Sequence, residues 1–400
     1  MNLSHYFTGI AAKRLSQSEI NSNQHELNGT VLLRDILGEN LTKNIIGKMV
    51  YLSDNEDEII SNDCTFSWYD ARINNPKRPA EYRLYYSDNE IVSKNASTDD
   101  LVLICFTPAN EIIVFIAPKE STIESQLLSL LKINEVGRTV NITNDQIAEI
   151  DLDFVNKHIL SYIGIEVTEP VTDEATKYLD KMIAEFGSAF PTTTAFSAYA
   201  RGTFEENEID VINNPDEALM LWWNREGELM ELFENHILQP LLDGGFENKE
   251  AFLKTALSVV NRRKSRAGHS LENHLKVIFE THGLDFTKGG KTEGNSKPDY
   301  LFPNIEAYHD ETFDVAKLTL LGVKTTAKDR WRQVLAEGAK ILNKHLITLE
   351  PAISIAQTTE MTNNDLTLVI PTPVQEKYKP EQLEYIISLK QFIEIVKAKI

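Results

Sequence analysis

An apolar run that ends in a lysine, Leu318-Thr-Leu-Leu-Gly-Val-Lys324, constrains this chain most. With no polar break before its end it reads as a strand. Pro298-Asp-Tyr-Leu-Phe302 reads as a shorter strand with Asp299 at its start. Trp331, Val334, Leu335, Gly338, Ile341 and Leu342 recur at helical spacing, which predicts a helix over about 329–344. Glu337 then lies two turns beyond Arg330 on the same helix face. The expected unit is mixed α/β, and it gathers Asp299, Lys324 and Glu337 from two adjacent strands and the helix that follows.

That trio suits metal-assisted cleavage of a phosphodiester. The diester is anionic and repels hydroxide; Mg²⁺ polarises the phosphoryl oxygen, supplies a bound water and neutralises the leaving oxygen. Mg²⁺ prefers carboxylate oxygen and keeps several waters, so two acidic ligands, Asp299 and Glu337, suffice. The Lys324 ammonium stabilises the pentavalent transition state or orients the attacking water. The usual nuclease signature has an acid two residues before the lysine. Here that position is Gly322, and Glu337 is the expected replacement. Taken alone, a Pro-Asp pair at a strand start and a lysine at a strand end also suit a solvated surface without chemistry. Tyr308, with Arg and His nearby, offers a covalent route like that of recombinases, but the acid–lysine–acid trio accounts for more residues. His274 and His309 read as structural, since no Cys/His spacing supports zinc.

Several ordered segments resemble one family. They are Asn261-Arg-Arg-Lys-Ser-Arg-Ala-Gly-His-Ser-Leu-Glu-Asn-His274, Thr292-Glu-Gly-Asn-Ser-Lys-Pro-Asp299, Leu301-Phe-Pro303, Ala307-Tyr-His-Asp310 and Val323-Lys-Thr-Thr-Ala-Lys-Asp-Arg-Trp-Arg-Gln333. Together they resemble the catalytic domain of the EcoRII family of type IIE restriction endonucleases. The resemblance is dense from about 255 to 360 and traceable from about 185 to the C-terminus. It implies a PD-(D/E)XK restriction-endonuclase-like mixed α/β domain whose permuted site is aspartate, lysine and a glutamate on the following helix. Those roles fall on Asp299, Lys324 and Glu337, with Glu272 as a nearby supporting acid and Mg²⁺ as cofactor. The implied target is double-stranded DNA with outer CC and GG steps.

The N-terminal half resembles the effector domain of the same family, a β-rich pseudobarrel shared with plant transcription-factor DNA-binding domains. The match rests on Ala12-Lys-Arg-Leu-Ser16, on His25 before Gly29, and on a basic strip from Arg72 to Arg83. Lys77, Arg78 and Arg83 are expected on phosphates or guanines, and Glu81 on a cytosine amine. A solvated turn around Pro76 and Pro79 is the alternative.

Chain length and cysteine count agree with this layout. Four hundred residues suggest two domains. Residues 1–166 are expected as the effector domain, 167–182 as an acidic linker that contains proline, and 183–400 as the catalytic domain. Thr30-Val-Leu-Leu33, Glu81 to Tyr86, and the pair Leu101–Phe106 and Ile112–Ala117 read as strands, the last two as a hairpin. Ala175–Phe186 and Pro215–Leu242 read as helices. Two cysteines, Cys64 and Cys105, favour a reducing compartment over a disulfide framework. No signal pattern or membrane-length apolar run is visible, so a cytoplasmic protein is expected. The net charge of −20 is unevenly spread: residues 256–345 hold 15 Lys/Arg against 11 Asp/Glu, or +4, leaving −24 elsewhere. The acid is thus displaced from the presumed DNA face.

Base reading is expected from Lys328-Asp-Arg330 at the helix start. Lysine or arginine donates to guanine and Asp329 accepts from cytosine, while Asp329 also suits a helix cap. Arg262, Arg263, Lys264 and Arg266 are expected on the DNA backbone, with Ser270 as a helix cap after them. The family's pocket for a flipped base uses an arginine and an aromatic four residues later. An ungapped alignment puts Trp223 and Gly227 there, so Trp222, Trp223 and Arg225 offer a different stacking surface. The expected function is a homodimeric, Mg²⁺-dependent, sequence-specific DNA endonuclease with an allosteric N-terminal domain and a cognate DNA methyltransferase as a separate protein. The alternatives are a DNA-binding regulator with an inactive nuclease domain, and a repair or junction nuclease.

Overall fold

The computed structural model describes residues 2–399 except 22–23, 76, 88–89, 138, 153, 166, 168–172, 188, 206–207, 295 and 329. It divides into two compact units. The first comprises Met1–Val167 with Ala352–Gln357, and the second Thr168–Pro351 with Thr358–Ile400.

In the first unit, strong β-formers build one eight-stranded sheet. Its strands are β1 (Gly9–Arg14), β2 (Glu26–Asn28), β3 (Thr42–Tyr51), β4 (Ile60–Asp70), β5 (Tyr82–Tyr86), β6 (Leu101–Phe106), β7 (Ile112–Ala117) and β8 (Thr139–Ile142). Their order is β2-β5-β4-β3-β7-β6-β1-β8, with β3 and β7 parallel and the other pairs antiparallel. The expected β6–β7 hairpin is present, with Phe106 opposite Ile112 and Leu101 opposite Ala117. Side chains alternate across a strand, so β6 serves two cores. Leu101, Leu103 and Cys105 enter one apolar cluster, and Val102, Ile104 and Phe106 the other. One expected strand is corrected. Thr30-Val-Leu-Leu33 opens a helix, Val31–Leu37, because the Thr30 side chain accepts from Leu33 N and caps its first turn.

The second unit has a six-stranded sheet flanked by helices. Its strands are β9 (Thr287–Lys288), β10 (Tyr300–Phe302), β11 (Thr319–Val323), β12 (Lys344–Ile347), β13 (Leu366–Val369) and β14 (Ile386–Ile387), in the order β14-β13-β12-β11-β10-β9. The ladders β11–β12, β12–β13 and β13–β14 are parallel; β9–β10 and β10–β11 are antiparallel. The helices used below are α1 (Asp173–Phe186), α2 (Thr193–Arg201), α3 (Pro215–Gly244), α4 (Lys249–Thr281), α5 (Trp331–Leu335) and α6 (Leu389–Lys399). Tyr300, Leu301, Phe302, Leu320 and Leu321 are fully buried. Phe279 of α4 meets the Tyr300 and Phe302 rings edge-on at 5.2 and 5.3 Å, and Phe392 of α6 meets Phe302 at 5.7 Å. Those contacts seat both helices on the sheet. The Asp216 carboxylate at the start of α3 accepts from Leu389 N and Lys390 N at 2.8 and 2.9 Å, which satisfies two otherwise orphaned donors of α6.

Three boundaries differ from expectation. Asp299 lies just before β10 rather than on it. The helix expected over 329–344 ends after Leu335, and the chain re-enters the sheet at Lys344. Gly338, at φ +57°, breaks it in a left-handed turn that an L side chain resists. Residues 173–186 are helical, so α1 occupies the later part of the expected linker, while 168–172 lie outside the described residues. No described helix is long and apolar enough to cross a membrane.

Candidate active site

The β10–β11 ladder places the first two site residues together. Tyr300 pairs with Leu321 and Phe302 with Thr319, so the residue before β10 meets the end of β11. There Asp299 Oδ2 accepts from Val323 N at 2.7 Å and from Lys324 Nζ at 3.0 Å. Lys324 N donates to Ile347 O at 3.0 Å and carries the parallel ladder one residue past the strand. Both side chains are about four-fifths buried, with 19% and 21% of their surfaces exposed. A charge-assisted pair at a strand end holds an ammonium at fixed orientation on the rim of the sheet.

Glu337 reaches the same place by a route that explains the missing acid. A Cβ on Gly322 would lie 2.6 Å from Val334 Cγ2. Glycine at 322 therefore lets α5 dock directly on β11, with Val334 fully buried in the contact. Glu337 follows two residues after α5 in a turn, not two helical turns along a face. Burial, together with the Asp299 charge, pushes its carboxyl up to about 7 against the opposing pull of Lys324 and Lys344. Its Oε2 is buried and meets no hydrogen-bond donor among the described residues. Two hard oxygen groups with one unsatisfied buried oxygen fit a hard divalent cation, whose remaining positions water and substrate would fill. Among the described residues no group of three or more His, Cys, Asp or Glu is placed to hold a metal.

Lys344 is a site residue that the sequence reading missed. It is buried at the start of β12, its Nζ donates to Leu335 O at the end of α5, and its charge acts on Glu337. It was hidden inside the over-long helix expected there; the strand-forming run Leu346-Ile-Thr-Leu349 just after it is the signal that would have exposed it. Glu272 on α4 is paired with Lys288 at 2.8 Å. The Tyr300 hydroxyl donates to Glu272 O at 2.6 Å and ties α4 to β10.

The other candidates separate. Tyr308 is buried, donates to Glu293 and is pushed up to about 12 by burial and that carboxylate, which favours the protonated phenol. His309 Nε2 contacts Lys291 O, and His274 is fully buried between Arg201 and Glu226. In the expected base-reading segment Arg330 is exposed, Lys328 is buried, and Asp329 lies outside the described residues.

The residues of α4 expected on the DNA backbone are engaged within the chain to different degrees. Arg266 is buried 4.4 Å from the Phe196 ring centroid, Arg263 clasps the buried Glu234 carboxylate, and Arg262 lies 3.9 Å over Phe190. Arg266 is thus taken up in helix packing, whereas Arg262 is half-buried and Arg263 keeps 48% of its side chain exposed. The Lys264 side chain lies outside the described residues, and Ser270 sits inside α4 rather than at an end. Trp222 is buried against His274, and Arg225 packs over Tyr178 and Phe204, which leaves Trp223 half-buried and no open stacking face on Trp222. In the first unit Glu81 is held by both Arg72 and Arg83, Lys77 and Arg78 are exposed, and His25 stacks on Tyr86 at φ +53°.

Residues 230–393 match the family model described as EcoRII C terminal. A stretch of 205 residues is 42% identical to the type II restriction enzyme EcoRII of Escherichia coli, and it covers 51% of this chain and 50% of that protein. The chain thus spans about half the length of the curated relative it matches. Two solved structures also align. Metal-depleted Ecl18kI in complex with uncleaved, modified DNA covers 56% of this chain and 84% of its own at 18% identity and a TM-score of 0.45. The PspGI–substrate DNA complex covers 59% and 97% at 16% identity and a TM-score of 0.39. The EcoRII resemblance read from the segments between 261 and 333 is borne out: the C-terminal half of this chain is EcoRII-like.

Proposed function

We propose that this protein is a Mg²⁺-dependent type II restriction endonuclease that hydrolyses double-stranded DNA at a short site with outer CC and GG steps. The carrying observation is the Asp299–Lys324 pair whose charges act on Glu337, whose buried Oε2 meets no hydrogen-bond donor among the described residues. The PD-(D/E)XK description fits this reading, with glutamate supplied from beyond α5 in place of Gly322. Mg²⁺ held by Asp299 and Glu337 would supply Lewis-acid stabilisation and a water of lowered pKa. Asp299 orients the Lys324 ammonium through Nζ, and that cation offsets charge growing on the non-bridging phosphate oxygens. Glu337, with its carboxyl pushed up to about 7, would hold the cation through the oxygen that a proton otherwise shares. The exposed Arg330, with Asp329, reads adjacent G·C pairs.

The enzyme acts as a homodimer on a two-fold site, its first unit is a pseudobarrel effector that binds DNA through Lys77, Arg78 and Arg83, and a separate methyltransferase protects the host. Glu81 is already held by two arginines, so its role is to set their geometry rather than to accept from a base.

The test is digestion of a fully sequenced phage DNA with Mg²⁺ and mapping of the ends. One recurrent short sequence at the ends supports the reading. Cleavage confined to branched DNA supports a junction nuclease, and specific binding without cleavage supports a regulator. Asp299→Ala, Lys324→Ala and Glu337→Ala each abolish cleavage while specific binding in Ca²⁺ persists, because the stabilisation they remove is made mainly during reaction.

A further inference from the structure

We propose that Glu350 is a positioning residue that fixes the connector between Lys324 and Arg330, and so ties base discrimination to cleavage. The inference rests on the nuclease reading above and concerns a residue that neither the acid–lysine–acid pattern nor the basic segment includes.

Glu350 follows β12 in sequence and is fully buried. Its Oε2 accepts from Ala327 N at 2.5 Å and from Lys328 N at 3.1 Å. A buried carboxylate is costly unless it is hydrogen-bonded, and here its donors are amides that no helix or strand uses. Ala327 O in turn accepts from Trp331 N at 3.1 Å, so the clasped residue leads straight into α5. Lys328 sits at φ +29°, a backbone state an L residue adopts only when its surroundings impose it.

The clasp is the last in a row of attachments. Lys324 N donates to Ile347 O at 3.0 Å. Thr348 Oγ1 donates to Thr325 O at 3.2 Å and accepts from Glu350 N at 3.1 Å. Glu350 itself is anchored at its carbonyl, which accepts from the Tyr378 hydroxyl at 2.6 Å. From Lys324 to Lys328 the connector is therefore fastened at four places to the strand end of residues 347–350. One end of this connector carries the transition-state cation, and the other presents Arg330 to solvent. A rigid connector makes the two ends move as one: a base that displaces Arg330 also displaces Lys324. A loose connector lets Arg330 settle on a wrong base while Lys324 stays in place.

A turn cap with no functional consequence is the competing account, and it predicts lower stability without a change in selectivity. The experiment uses the full-length protein and Glu350→Gln, which keeps the shape and one acceptor but removes the charge. Discrimination is read twice: by Mg²⁺ cleavage rates at the preferred site against sites with one base changed, and by selection of bound duplexes in Ca²⁺. Thermal unfolding and affinity for random duplex are measured alongside. The expected result is a folded variant whose random-duplex affinity stays within twofold, whose preference for the correct base falls at least tenfold, and whose cut sites extend to single-base variants. A folded variant that keeps its preference within twofold, or slows equally at every site, overturns the proposal.

Hydrogen exchange on the wild-type protein guards against a variant that does not fold. The amides of Ala327 and Lys328 are expected to exchange at least a hundredfold more slowly than a free chain, and exchange at the free rate also overturns the proposal. If wild-type protein selects a sequence in Ca²⁺ yet never cleaves in Mg²⁺, the nuclease reading fails while the selection arm still decides the role of Glu350 in discrimination.

Discussion

Glycine 322 and Glu337 are two halves of one arrangement. The missing methyl at 322 is what lets Val334 close on β11, and Val334 brings the turn that carries Glu337. Gly322→Ala is therefore expected to cost about 1–3 kcal/mol through overpacking and to suppress cleavage far more than it suppresses DNA binding. Thermal unfolding and single-turnover cleavage check this; an alanine variant that cleaves at the wild-type rate would show that the close approach does not matter. Glu337 itself gives a pH signature. Its carboxyl lies near 7 in the folded chain, above the ordinary value of 4.5, so the folded state holds a proton that the unfolded state releases. Stability of the metal-free protein is then highest below about pH 4.5 as far as this group is concerned, falls by about 1–2 kcal/mol as the pH rises to 7, and keeps that deficit above 7. Glu337→Gln removes the dependence. Mg²⁺ competes with the same proton, so it should raise the unfolding temperature more at pH 8 than at pH 6. Equal Mg²⁺ shifts at both pH values would take Glu337 out of the metal site.

Among the elements, α3 and α4 leave apolar surface uncovered at their distal ends. Leu253, Leu257 and Val260 fall at i, i+4 and i+7 on α4 and are 43%, 61% and 47% exposed, beside Leu241 and Leu242 of α3. Exposed apolar residues on one helix face mark a candidate interface. If the proposed DNA site is two-fold, a second copy of the chain is the fitting occupant, because such a site calls for a self-complementary face. Leu257→Asp is expected to shift the protein from dimer to monomer at micromolar concentration by light scattering, with far-ultraviolet dichroism unchanged. A monomeric wild-type protein would remove the basis for this. The same elements show what the sequence made legible. The hairpin β6–β7 and helices α1 and α3 were readable because each carries one unbroken period. The helix expected over 329–344 was not, because Val334, Gly338 and Ile341 keep helical spacing while facing the sheet from a short helix and a left-handed turn. For Arg262, Arg263 and Arg266 the sequence shows the charge but not the neighbours Phe190, Glu234 and Phe196 that each meets in the fold. The acid–lysine pair was legible because its partners lie at adjoining strand ends, where a two-residue period leaves little freedom.

For the whole molecule, the proposed effector role turns on linkage between two units of one chain. The first unit exposes Lys77 and Arg78 beside the Arg72–Glu81–Arg83 cluster, so it presents basic groups to an anionic partner. The second unit holds the candidate active site. If DNA bound by the first unit stimulates cleavage by the second, it must bind more tightly to the cleavage-competent arrangement; equal affinity for both arrangements would shift nothing. A several-fold stimulation then requires that the protein without effector spends most of its time in the less competent arrangement, which amounts to autoinhibition. Coupling of 1–3 kcal/mol, the ordinary range, corresponds to roughly a 5- to 150-fold change in cleavage competence. Two results should then appear together. The full chain is expected to cleave a two-site plasmid faster than a one-site plasmid, and a short uncleavable duplex added in trans should restore the one-site rate. A C-terminal fragment beginning near residue 180 is expected to cleave the one-site plasmid faster than the full chain, since the inhibiting arrangement is gone. Lys77→Ala with Arg78→Ala should abolish stimulation in trans while leaving the unstimulated rate within twofold. Equal rates on one-site and two-site DNA, with a fragment no faster than its parent, would leave the first unit as a tether.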